Sequence, residues 1–387
     1  TTLFRSIDAD GFATSIAVIG NEGIVGGVDG LHLTNSGDAD IVGNGILGVT
    51  GDGIDADNVA TVDVVANIIL SLLGNGVIIN GGTDHTVTGN SIGSALDGVH
   101  VTNADSLLVD TNTIVAVAGD GVQTNAVGQV TVTNNDIGSL LANGVDITGG
   151  GLHFVGNNLI GAGNNGVNFT NTTLSGIVGN TIVAVDDGVA LDNAQGTLVA
   201  LNGIIAGGDG VDVLGGSNFS FILGNGILAV TGDGVNINNS SANVVAGNTI
   251  VSLLGNGVVI NGGLGHLVAL NNVAAFENGV DIRNTGLFGV YGNNILSGND
   301  GVHVENAGLF QVAGNNIASV IGDGIDIDNA IGFRVNDNNI ATLVGNGIEV
   351  SDAAGFRVDH NNILGVVGNS IDVRNAGLFS VDNNNAL

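Results

Sequence analysis

The chain has 387 residues, with 68 Gly, no Pro, Cys, Met or Trp, and a formal net charge of −31, yet 44% of its residues are hydrophobic. This composition excludes an intrinsically disordered chain, which is poor in apolar residues, collagen, which needs Pro in a strict triplet, and a disulfide or thiolate scaffold. Five arginines and no lysine supply no basic stripe, so nucleic acid is excluded as a partner.

The chain lacks Met, so Thr1 is read as a processed start and the expected location is extracellular or cell surface. Residues 2–7 (Thr2-Leu3-Phe4-Arg5-Ser6-Ile7) read as the middle of a repeat unit, and residues 11–29 as a shortened copy. From Gly30 a unit recurs every 22–24 residues: Asp or Asn, the leading Gly, Val or Ile, any residue, then a second apolar residue. It ends at Gly347, with Ser370 in register. Its apolar positions alternate with period two, as in Val99/Val101, Val145/Ile147, Val280/Ile282 and Ile325/Ile327, which is the period of a strand. Each strand is short and bounded by Gly, Asn or Asp, the residues that tolerate positive φ. Apolar runs such as residues 64–73 are broken by Asn67 and Ser71 and are too short to span a bilayer, so no membrane insertion is expected.

Strands at this spacing with no helix between them predict one solenoid turn per unit, with parallel ladders about 4.8 Å apart. An Asn recurs once per unit, at Asn44, Asn67, Asn90, Asn112, Asn135, Asn157 and Asn180, and onward to Asn361 and Asn383. Stacked at a buried bend, these amides can bond to one another along the axis. The Gly-Val-x-Val strand, the turn Asn and the Gly-Asn-x-Ile string resemble the right-handed parallel β-helix repeats of the pectate-lyase-like superfamily. The resemblance covers essentially the whole chain and implies an all-β fold. That fold is a right-handed single-stranded parallel β-helix of about 16–17 turns with an internal Asn ladder. It is expected as a single domain over residues 1–387, irregular over 1–29 and regular over 30–387. Such a fold hosts lyases, hydrolases, epimerases, adhesins and fibres, and so does not assign an activity.

Residues 43–82 closely match 224–263, eight units away, as expected of a structural array. Phe288, Phe310, Phe333, Phe356 and Phe379 share one unit position and are expected to stack as core.

The residue before the leading Gly is Asp or Asn throughout, which suits a turn side chain accepting a backbone N–H. The alternative is cation binding. The calcium candidates are Asp52/Asp55, Asp209/Asp212 and Asp323/Asp326, each Asp-Gly-x-Asp, and residues 207–214 resemble one RTX calcium nonapeptide. For an enzyme, the outward position of the first strand in the last five units holds Asp281, His303, Asp326, Glu349 and Asp372, with Arg283 and Arg374 two residues farther on. Acids one turn apart approach the spacing of a retaining glycosidase pair. The candidate catalytic set is thus Asp326, Glu349, Asp372, His303 and Arg374. Against it, Tyr291 is the only Tyr, Gly265-His266-Leu267 lacks the second Gly of a polygalacturonase Gly-His-Gly, and no inserted loops wall a groove.

Arg334 and Arg357 are expected to pair with Asp337 and Asp359. The histidines are too scattered for a metal cluster. Both chain ends fall in mid-unit, which favours head-to-tail association with a second copy. The expected function is therefore a non-enzymatic extracellular subunit of a filament or cell-surface fibre. It needs no cofactor, with calcium as the candidate ion and surface polysaccharide as a candidate partner. The alternatives are a polysaccharide-active β-helix enzyme (lyase, hydrolase or epimerase) and a calcium-dependent surface adhesin.

Overall fold

A computed structural model describes residues 3–4, 6–11, 15–365 and 367–386. Thr1, Thr2, Arg5 and Leu387, which the terminal-turn expectation used, lie outside the described residues. The described residues form strands and turns only, in two compact units, residues 1–190 and 191–387. Both are parallel β-solenoids, together of about 16 turns, so the all-β β-helix expectation holds.

A turn of the first unit runs through strands Val122–Asn125, Gln129–Thr133 and Asp136–Ser139. Each pairs in parallel with its counterpart one turn on, Val122 beside Val145, Val132 beside Val155 and Ile137 beside Ile160. The second unit repeats the pattern, with Val280 beside Val302, Val268 beside Val290 and Ile295 beside Ile317. First and second strands of the turns belong to one sheet and third strands to another. The period-two apolar residues, Val145 and Ile147 among them, point inward and are fully buried.

The leading Gly has a different cause from the one its sequence context suggests. Its φ is ordinary; what it lacks is room. A Cβ on Gly144 would sit 2.2 Å from Cγ2 of Ile160 and 2.7 Å from the carbonyl oxygen of Gly166. Gly144→Ala is expected to cost about 1–3 kcal/mol by overpacking, read as a lower urea midpoint.

The buried Asn ladder runs through each unit. Asn90 Oδ1 accepts both the backbone N–H (2.8 Å) and the Nδ2–H (3.0 Å) of Asn67, whose Nδ2 also donates to the Ile41 carbonyl at 2.8 Å. Two ladder positions differ by one residue from the sequence reading. Asn158, not Asn157, accepts from Asn135, and Asn384, not Asn383, accepts from Asn361. Asn157 and Asn383 instead hold the left-handed turn, at φ 56° and 53°. Where Asn is doubled, only the bend decides which member faces inward.

The phenylalanines stack as expected, with ring centroids 4.5–5.2 Å apart from Phe288 to Phe379. His85 and His153 are core residues in the first unit. Nε2–H of each donates to its own bend, to Gly81 (2.8 Å) and Gly149 (2.9 Å), and Nδ1 accepts from Val62 and Val130. Burial pushes both imidazoles below their usual pKa, so they stay neutral.

Candidate functional site: an acid and imidazole row

The first-strand register of the second unit aligns the predicted row. Asp281 lies beside His303, His303 beside Asp326, Asp326 beside Glu349 and Glu349 beside Asp372. These positions face outward because their neighbours, such as Val302/Val304 and Ile325/Ile327, fill the core.

His303 Nδ1 lies 3.0 Å from Oδ2 of Asp326 and 3.9 Å from Oδ2 of Asp300. The three donor groups converge within 4.8 Å. The Asp326 hydrogen bond raises the His303 pKa, and burial only partly opposes it. Burial raises the Asp300 carboxyl. Burial also raises Glu349 and Asp323, and the two carboxyls hydrogen-bond to each other and push each other's titration. Arg374 counteracts part of the shift, with Nη1 3.2 Å from Glu349 and Nη2 2.5 Å from Asp372. Asn346 Nδ2 donates to Glu349 at 2.7 Å. At the other end of the row Arg283 holds the buried Asp281 at 2.8 Å.

Thus the structure brings together His303, Asp326, Glu349 and Arg374, while Asp372 lies at the margin, tied to Arg374. The arrangement offers two acids one turn apart, one of them raised by burial, and an imidazole bonded to the other.

The turn acids mostly have a structural task. Asp52 Oδ1 accepts the Asn75 N–H at 2.6 Å, Asp209 Oδ1 accepts the Asp233 N–H at 2.6 Å, and Asp323 Oδ1 accepts the Asn346 N–H. Only one oxygen is needed, which is why Asp and Asn interchange before the leading Gly.

The calcium candidates differ in what surrounds them. Of the six proposed ligands, Asp52, Asp209, Asp212 and Asp323 join no group of three converging donors among the described residues. Asp212 is buried in the strand Val211–Leu214, and its register neighbour one turn on is Asn236. Asn236 Nδ2 donates to Asp209 Oδ2 at 3.0 Å. Asp55 and Asp326 do join converging groups, and their partners come from the preceding turn: Asp29 with His32, and Asp300 with His303. His32 Nδ1 lies 2.8 Å from Asp55.

Sequence reasoning overlooked Asp300. The available signal was Asp-Gly-x-His at 29–32 and again at 300–303, each followed one turn later by Asp-Gly-x-Asp. The arginine pairing also differs from expectation. Arg334 grips Asp359 with two bonds, 2.8 and 2.6 Å, and Arg357 approaches the same carboxylate at 3.4 Å. Asp359 is fully buried, and the guanidinium of Arg334 holds its pKa at about 2.

Asp120, also overlooked, is 6% exposed, and burial, with Asp146 and Asp97 nearby, pushes its pKa to about 7. A carboxyl raised in the folded state contributes stability below the ordinary carboxylate range, and this is lost as pH rises through about 7. Asp120→Asn keeps an acceptor for the Asn143 N–H, now 2.7 Å from Asp120 Oδ1. We expect it to stabilise the protein by about 1–2 kcal/mol above pH 7 and to do nothing at pH 3, as read from melting temperatures at both.

The sequence pattern described as right handed beta helix region matches residues 29–182 and 233–386. That of the periplasmic copper-binding protein NosD matches residues 109–286. No curated protein sequence matches. Among solved structures, the Dettilon tailspike protein gp208 superposes with TM-score 0.50 at 16% identity, over 76% of this chain and 62% of that one. The chain therefore spans less than two thirds of that tailspike. The periplasmic alginate epimerase AlgG gives TM-score 0.42 at 12% identity, covering 83% of this chain and 77% of its own. The catalytic domain of a GH87 alpha-1,3-glucanase, in complex with nigerose, gives 0.38 at 13%, covering 80% and 63%. At these identities the likeness is one of fold.

The expectation of a non-enzymatic filament or surface-fibre subunit is corrected: the pattern and the fold matched belong to β-helix proteins of other kinds, a periplasmic copper-binding protein and a tailspike. In the row and the bend beside it, Asp281 is 3% exposed and burial raises Asp300, Asp323 and Glu349.

Proposed function

The chain belongs to the right-handed β-helix family, and from that premise we propose that it is a polysaccharide-active enzyme that cleaves a glycosidic bond on the outer first-strand face of its second unit. The observation that carries this reading is the convergence of Asp300, His303 and Asp326 within 4.8 Å beside Glu349, which Arg374 contacts at 3.2 Å. Glu349 donates its proton to the leaving oxygen. Asp326, one turn away and so about 5 Å distant, takes the nucleophile's place in a retaining pair. His303 is a positioning residue that holds Asp326 through Nδ1–H, and Arg374 positions Glu349.

The setting is periplasmic or extracellular, supported by the periplasmic family matched over residues 109–286. No helix is long and apolar enough to cross a membrane. Copper, which that family's name carries, finds no group of three converging donors within 109–286 among the described residues, so no step runs through it. A cation at Asp300, His303 and Asp326 has one imidazole nitrogen and two carboxylates to bind it. That donor set suits a borderline transition ion better than calcium, which prefers oxygen alone.

The test is to incubate the whole chain with a panel of neutral and acidic polysaccharides and follow new reducing ends. Release that Asp326→Asn and Glu349→Gln abolish supports the reading. Release unchanged in both variants, or none from any substrate, overturns it.

A further inference from the structure

The third-strand sheet of the second unit has a composition unlike the first- and second-strand sheet beside it. Its nine strands, from Gly203–Ala206 and Gly226–Ala229 through Asn294–Ser297 and Asn316–Ser319 to Asn385–Ala386, contain no charged residue, in a chain of net charge −31. Along its outer face run two rows. One is an exposed amide ladder, in which Asn294 donates to Asn272 at 2.8 Å and Asn316 and Asn339 each donate to the preceding Asn at 2.9 Å. The other alternates hollows with knobs: Ala274, then Leu296 (54% exposed), then Ala318 and Ala341, then Leu364. Between the rows lies a groove of about 600 Å³. The adjoining bend widens the apolar band with Leu254, Phe276, Leu343 and Ile321, the last 69% exposed. An apolar surface of this extent facing water marks an interaction site.

We propose that this face docks a second copy of the same chain, sheet against sheet, in a lateral two-fold dimer. Charge selects the occupant. Two chains of this acidity repel wherever acids meet, and they approach without that cost on a face that carries none. Size agrees. A two-fold at Ala318 overlaps the seven strands from Thr249–Ser252 to Asn385–Ala386, which at about 4.8 Å each and a band about 15–20 Å wide bury roughly 1,000–1,300 Å² across two copies, at the lower end of a stable interface. Shape agrees as well, because a two-fold lays each Leu knob over an Ala hollow at the ~10 Å separation of packed sheets. The contact is independent of the acid row.

The experiment is sedimentation of the whole chain from low to high micromolar concentration, at low and high salt. The expected result is a dimer whose association strengthens with salt, because screening relieves the remaining acid repulsion while apolar burial persists. Ala318→Arg, which sets a charge on the outward face, should weaken association at least about tenfold with the circular dichroism spectrum unchanged. Should that variant misfold, Leu296→Gln reads the same face through the loss of a knob. A wild-type chain that is monomeric throughout overturns the proposal, as does a dimer that survives both substitutions. Wild-type monomer that co-sediments with neutral vesicles or an uncharged polysaccharide, and ceases to do so as Ala318→Arg, assigns the face to that ligand and likewise overturns it.

Discussion

Asn248→Ala is expected to lower the stability of the second unit by about 3–5 kcal/mol. Asn248 is fully buried. Its Oδ1 accepts the backbone N–H (2.8 Å) and side-chain N–H (3.0 Å) of Asn225, and its Nδ2 donates to Ile222 (2.8 Å) and Asn271 (3.0 Å). Truncation removes all four bonds and strands a buried backbone N–H and a carbonyl that water does not reach. Each such group costs about 1–3 kcal/mol. The exposed amide ladder supplies the control. Asn272 makes a bond of the same length, 2.8 Å, to Asn294, but water replaces it, so Asn272→Ala should cost under about 1 kcal/mol. Urea midpoints of the two variants measure the contrast. Equal losses would show that the ladder's contribution is not one of buried satisfaction.

Glu349→Gln is expected to lower polysaccharide cleavage by about a hundred- to ten-thousandfold, the usual worth of a positioned proton donor. The pH profile carries the more discriminating result. The acid form of Glu349 persists above the ordinary carboxylate range because burial and Asp323 both favour it. Activity that needs this proton is therefore present at low pH and lost as pH rises through the shifted value. Asp323→Asn removes the neighbouring negative charge, so the alkaline limb should move to lower pH. Arg374→Gln removes the opposing cation, so the limb should move to higher pH. Opposite displacements by two substitutions on either side of one carboxyl identify that carboxyl as the donor. Displacements of one sign, or none, assign the limb to another group.

The candidate row was legible in large part from the repeat alone. Asp281, His303, Asp326, Glu349 and Asp372 occupy one position of a unit whose period is nearly constant, and parallel stacking converts equal sequence position into adjacency. Asp300 was not legible as a site member, because it sits at the bend, outside the strand whose register was being counted. Its approach to His303 depends on how the bend aims the carboxylate. The surroundings of Asp212 were equally hidden, since its Asp-Gly-x-Asp string does not show that its register neighbour one turn on is the amide of Asn236. Arg334 shows the same limit, since sequence offers Asp337, three residues away, while the guanidinium crosses to Asp359 in the next turn.

Sequence by itself determined the architecture of this protein, because period-two burial and a 22–24-residue repeat are properties of the chain that each turn satisfies in the same way. The acid composition was likewise plain, but its meaning was not. Only the tertiary structure decided which acids merely accept a backbone N–H, as Asp52 does, and which also lie against another carboxyl, as Glu349 does against Asp323. Protonation follows from distance and desolvation between residues a full turn apart, and neither quantity is written in the order of the residues.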